Sequence, residues 1–145
     1  MSRVDDAAQL FSDGASCSQA VFAAFAPSFG VDPGEALRLA SGLGGGMRIG
    51  GACGAATGAL LVLGLMCAGD DGTQDRSAVT AAVETFYARF LEQVGATDCP
   101  DILGCDLRSP DGRDIMRERG LRESRCLPAV RAAAGILEQM LESGS

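Results

Sequence analysis

The sequence predicts an all-α fold: a compact bundle of about six or seven helices around a central Gly/Ala-rich apolar helix. Three observations predict it. Apolar residues recur at helical spacing, as in Val79, Val83, Phe86, Phe90 and Val94. Helix starts are written repeatedly in cap residues, and glycines stand where those helices should stop. No segment reads as a strand, an internal repeat or a linker. At 145 residues and 47% hydrophobic content, the chain is expected to form one domain over 1–145, with enough apolar surface to bury a core.

Ser2 is placed to cap a first helix with Val4, Ala8 and Phe11 on one face, and Gly14 ends it. Ser16-Cys17-Ser18-Gln19 is a capping box that starts a second helix, running to about Ala26 and closed by Pro27 and Gly30. Asp32-Pro33-Gly34-Glu35 repeats the signal with a cap, a first-turn proline and an acidic N3, and the helix it opens runs to Ser41.

Gly42–Gly51 then forms a glycine-rich loop, expected to be flexible, feeding a buried helix over about Ala52–Ala68, with Cys53 in its first turn. Gly50, Gly54 and Gly58 recur every four residues and predict a flat stripe where a neighbouring helix comes close. The 21 residues Ile49–Gly69 carry no charge. They are rich in Gly, Ala, Cys and Thr, have no basic cluster at a flank and run into Asp70 and Asp71, so a core helix is favoured over a membrane span.

Asp70–Thr73 reads as a turn, Gln74–Val94 as a long helix and Gly95 as its stop. Asp98-Cys99-Pro100 opens a short turn or helix through Leu103, and Ser109-Pro110-Asp111 opens another that ends at Gly120. The last helix starts near Cys126-Leu127-Pro128 and buries Val130, Ala133, Leu137 and Met140 or Leu141.

Composition excludes several function classes. A net charge of −7 argues against nucleic-acid binding. The chain has no histidine and no lysine, which removes histidine-based triads, histidine metal ligands and Schiff-base chemistry. A phosphate-binding P-loop needs a lysine, and a dinucleotide fingerprint from Gly42 fails at Met47. The opening MSRVDDAAQLFSDG has no apolar signal region, so a reducing cytoplasm is expected. Six cysteines in that setting point to metal or redox chemistry rather than a disulfide framework.

Four of the six share a placement. Cys17, Cys53, Cys99 and Cys126 each fall within about a turn of an expected helix N-terminus. Convergence of those ends would surround four sulfurs with oriented N–H groups, an environment that lowers thiol pKa values and supports metal–thiolate bonding. Cys67 lies 14 residues beyond Cys53 on the same helix. At ~1.5 Å per residue it is roughly 21 Å away, so it is expected to be a core thiol. Cys105 follows Cys99 by six residues and stands as its substitute or assistant. Arg48, Arg122 and Arg125 neighbour these cysteines in sequence. None of the spacings is the Cys-x-x-Cys pair of a zinc ribbon.

The residues Cys53-Gly54-Ala55-Ala56-Thr57-Gly58, with the preceding Gly-rich GGGMRIGG, resemble a family of redox-active proteins named for spaced cysteines around a CGAxxG core. Cys17-Ser18-Gln19-Ala20-Val21, Cys99 with Leu103-Gly104 and Asp106-Leu107, and Cys126 complete the order. The resemblance runs from about Phe11 to Leu137. It implies that the four recurrent cysteines are Cys17, Cys53, Cys99 and Cys126, and that they hold an iron–sulfur cluster, of which [2Fe–2S] is one form. Cys67 and Cys105 are additional to the pattern.

Three readings follow. In the first, four thiolates hold an iron–sulfur cluster and pass electrons to a partner protein. In the second, Cys17 or Cys53 attacks as a thiolate in thiol–disulfide exchange, with no metal. In the third, the four cysteines form a structural, storage or sensing zinc site. The glycine stripe and apolar central helix also admit a homodimer.

Overall fold

The computed structural model describes residues 2–69, 73 and 75–144. Eight α-helices follow one another among them: α1 Arg3–Ser12, α2 Cys17–Phe25, α3 Pro33–Leu39, α4 Gly54–Cys67, α5 Arg76–Val94, α6 Cys99–Leu103, α7 Gly112–Glu118 and α8 Leu127–Ser143. No strand occurs among the described residues; an isolated antiparallel bridge joins Ala52 to Asp98. The all-α expectation therefore holds. None of the described helices is long and apolar enough to cross a membrane.

The cap chemistry of the sequence appears in the backbone. The Ser2 side chain accepts from the Asp5 N–H, and Asp32 does the same for Glu35. The Ser16–Gln19 box is closed in both directions, with the Ser16 N–H donating to Gln19 Oε1 at 3.0 Å and the Gln19 N–H to Ser16 Oγ at 3.4 Å. Asp75 caps α5 through the Ala78 N–H, and Gly95 ends that helix at φ +91°. The expected start at Gln74 and most of the expected turn over Asp70–Thr73 lie outside the described residues.

α4 runs through the middle of the bundle against α2, α5 and α8. Its first six residues, Gly54–Ala59, are buried, as are Val62 and Leu63. Phe25, Phe86, Phe90, Ile136, Leu137 and Met140 close around it, all fully buried. Phe86 and Phe90 stack with ring centroids 5.6 Å apart. The two glycines of the stripe that lie on α4 face α2. A Cβ on Gly58 would stand 2.6 Å from the Ser18 carbonyl oxygen, and one on Gly54 would stand 3.1 Å from Cys17 Cβ.

Three expectations need correction. The central helix begins at Gly54, and Cys53 is its N-cap rather than part of its first turn. Gly50 is not on the helix; it lies against the Arg108 guanidinium, at φ +67°. The Gly42–Gly51 loop holds a defined left-handed turn in which Gly45, Gly46, Met47 and Arg48 have φ of 65°, 66°, 58° and 65°. Two of those four positions carry side chains, for which left-handed backbone costs on the order of 1–2 kcal/mol each.

Candidate redox cysteine site

The four cysteines singled out by helix-start position line a single cavity of about 170 Å³. Each arrives on a separate segment. Cys17 is the first residue of α2, fixed by the Ser16 capping box. Cys53 and Cys99 are set by the isolated bridge: the Cys53 N–H donates to Thr97 O and the Cys99 N–H to Gly51 O, both at 2.8 Å. This short ladder joins the start of α4 to the start of α6. Cys126 ends a wide turn, Arg122–Cys126, that leads directly into α8.

Small residues make the convergence sterically feasible. Gly54 lets α4 approach Cys17, and Gly46 lies where a Cβ would fall 2.8 Å from Cys99 Cβ. Gly44 packs against Ser16, where a Cβ would be 2.9 Å from Ser16 Cβ. The fully buried Ser18 hydroxyl donates to Ala40 O at 2.9 Å, and the Gln19 amide donates to Leu37 O at 3.0 Å. These bonds tie the α2 start to α3 and to the mouth of the glycine loop.

Arg108, which the sequence did not point to, fastens the loop from the other side. Its guanidinium donates to Ile49 O at 2.9 Å while also pairing with Asp106 at 2.8 Å. An Arg two residues beyond an Asp is too common a pattern to single out in advance. The remaining wall is apolar, with Ile102, Leu103, Leu107 and Met116. Arg48 and Arg122 also reach the cavity.

The thiols in the cavity resist ionisation, which corrects the expectation of uniformly lowered pKa values. Cys17 is raised well above the ordinary thiol value, first by its hydrogen-bonding interaction with the Cys126 sulfur, then by burial and the neighbouring thiols. Burial pushes Cys53 up to about 11, although the Ala55 and Ala56 N–H groups at the start of α4 favour its thiolate. Burial, then Cys53, Cys126 and Cys105, push Cys99 up to about 12. Cys126 alone goes down, chiefly through Cys17 and assisted by Arg122. The Cys126 sulfur leads at Cys17, burial leads at Cys53 and Cys99, and at Cys53 it outweighs the N–H groups of the helix start.

Cys126 also departs from the helix-start picture in its backbone. It has right-handed helical φ and ψ, and the turn before it is itself helical, so it does not stand at a free N-terminus. Cys67, the last residue of α4, is not among the residues around the cavity. Cys105 is half-buried with its thiol 3.7 Å from Gly112 O, close enough to raise the Cys99 pKa but outside the cavity lining. Arg125 is exposed and likewise outside it. Among the described residues no three Cys, Asp or Glu side chains are gathered tightly enough to hold one metal ion.

A family model described as "Putative redox-active protein (C_GCAxxG_C_C)" matches residues 15–140. The chain belongs to that family. No curated protein and no solved structure matches it.

Proposed function

We propose that this member of the C_GCAxxG_C_C family is an electron-transfer protein whose Cys17, Cys53, Cys99 and Cys126 hold an iron–sulfur cluster. The observation that carries the reading is the enclosure of four thiols from four segments in one small cavity. Such a set is unfavourable as bare thiolates, because burial and each neighbour penalise the next charge. Bound cations remove that penalty, and an all-thiolate donor set suits iron–sulfur centres.

A mononuclear zinc site would gather all four sulfurs around one ion, whereas a two-iron cluster divides them between its metals. When bound, the cluster would supply a one-electron couple. The chain would supply the sulfurs, two N–H groups favouring negative charge on Cys53, two arginines, and an apolar wall that excludes water.

Thiol–disulfide exchange is a second reading, favoured by the interaction of Cys17 with Cys126. There the Cys126 thiolate attacks a partner's disulfide, and Cys17 resolves the mixed disulfide. The two thiols lose two electrons and two protons, and the partner's disulfide becomes a dithiol.

Purification without oxygen, followed by iron and acid-labile sulfide analysis, separates the readings. Iron and sulfide that are lost on Cys→Ser change at any of the four positions, and kept in Cys67→Ser, support the cluster. Protein free of both, whose Cys17 and Cys126 form a reversible disulfide, supports exchange and rejects the cluster.

A further inference from the structure

We infer that Arg122 raises the reduction potential of the centre held by Cys17, Cys53, Cys99 and Cys126, an inference that rests on the iron–sulfur reading. Arg122 begins the wide turn that ends at Cys126, and its side chain lines the same cavity. It is held in place by three contacts. The guanidinium donates to Phe11 O and to Ala15 O, the latter at 3.1 Å, and its carbon lies 3.6 Å from the Phe11 ring centroid. The partners are the last turn of α1 and the connection to α2, so the turn bearing Cys126 is anchored to the segment leading to Cys17.

None of these partners cancels the charge. Among the described residues the ion pairs use Arg38, Arg108, Arg117 and Arg131 and none uses Arg122; the exposed Glu123 acts on Cys126 in the opposite sense but less strongly than Arg122. The chain thus places a fixed, half-buried cation beside its thiols while the protein as a whole carries −7. Arg48 is the other cation at the cavity, but it is exposed and more strongly screened by water.

Reduction adds one negative charge to the centre. A nearby positive charge favours the reduced state and makes it easier to reach. At an effective dielectric of 20, a unit charge within about 12 Å changes an equilibrium constant by about tenfold or more. Arg122 lines the cavity, and its charge is felt at Cys126, four residues along the same turn, which sets it inside that range. Tenfold corresponds to ~59 mV for a one-electron couple.

The test is a potentiometric titration of the loaded protein, followed by absorbance and by paramagnetic resonance, in wild type, Arg122→Gln, Arg122→Lys and Arg48→Gln. Iron and sulfide content is measured on each. Arg122→Gln is expected to lower the potential by about 59 mV or more, with Arg122→Lys close to wild type and Arg48→Gln shifted less. A purely structural role would change thermal stability in both Arg122 variants and leave the potential where it was. An unshifted potential in loaded Arg122→Gln overturns the inference alone, as does an equal shift in Arg48→Gln. Should Arg122→Gln fail to load, Arg122→Met is titrated in its place: a potential lower by about 59 mV or more supports the charge role, and a wild-type potential rejects it. Wild-type protein without iron and sulfide overturns this inference together with the cluster reading.

Discussion

Replacing Gly58 by alanine should destabilise the protein, although the same change at Gly64 on the same helix should stabilise it. Alanine is favoured over glycine in a helix interior by ~1 kcal/mol, so propensity alone predicts a gain at Gly58. The geometry reverses the sign. The new Cβ would stand 2.6 Å from Ser18 O and 3.0 Å from Ser18 Cα, where ordinary contact begins near 3.4 Å. Both groups belong to helix backbones, so no side-chain rotation relieves the clash and α2 must move off by about 0.8 Å. Overpacking of this kind costs about 1–3 kcal/mol, which leaves a net loss of about 1–2 kcal/mol at the upper end. For a chain of this size the melting temperature should fall by roughly 4–8 °C. Gly64, six residues along the same helix, has nothing within 4 Å of its Cβ position. Gly64→Ala should therefore raise the melting temperature by up to about 4 °C. Thermal melts of the two variants, followed by far-UV circular dichroism, make the comparison. Because α2 carries Cys17, Gly58→Ala should also lower iron and sulfide content. Equal, stabilising effects at Gly58 and Gly64 would refute the close-approach argument.

Three other outcomes follow from the same geometry. Metal-free, reduced protein should lose stability as pH rises from about 9 towards 12. Cys53 and Cys99 keep their protons to about 11 and 12 in the folded state, whereas unfolded thiols ionise near 9.0, so alkali favours the unfolded chain; melts that are flat across this window would contradict it. Ser16→Ala removes one half of the capping box at the α2 start and should cost about 1 kcal/mol, read as a melting temperature lower by roughly 4 °C. Met47→Gly relieves a left-handed residue at φ +58° and should stabilise by about 0.5–1 kcal/mol after the extra freedom of the unfolded glycine is counted; a loss of stability in chemical denaturation would show that packing of the Met47 side chain outweighs the strain.

The elements of this fold were legible because their ends are marked by local chemistry. Ser16 and Gln19, Asp32 and Pro33, and Gly95 each act within one turn, and a linear sequence records such neighbours directly. The four cavity cysteines could be singled out for the same reason, since each stands next to an expected helix start. What could not be read was the energetics of bringing them together. Helix N-termini alone imply easier ionisation, but neighbouring sulfurs and burial are long-range facts: the Cys126 sulfur leads at Cys17 and burial leads at Cys99. The Arg108 clamp on Ile49 O spans 59 residues and has no local mark. The left-handed turn was hidden differently, because Met47 and Arg48 are poor choices for positive φ and propensity points away from them.

That exception bears on the site. The glycines of this chain fall into two groups with different causes. Gly95, Gly104 and Gly144 have positive φ and nothing near their Cβ positions, and each simply ends a helix. Gly44, Gly46, Gly54 and Gly58 are crowded by Ser16, Cys99, Cys17 and Ser18. Those four all bear on the placement of Cys17 or Cys99. The left-handed Arg48 belongs to the same wall, folded back so that a Cβ on Gly45 would lie 3.4 Å from its Nη1, and the left-handed Met47 precedes it. Close approach of this kind therefore surrounds the cavity, although Gly112 at the start of α7 is crowded as well, by Asp106 O. A fold that needed only a helical core would gain stability by relaxing the left-handed backbone, through glycine at 47 and 48. Retention of Met47 and Arg48 in this sequence fits a site whose geometry, rather than the stability of the bundle, limits which residues are tolerated.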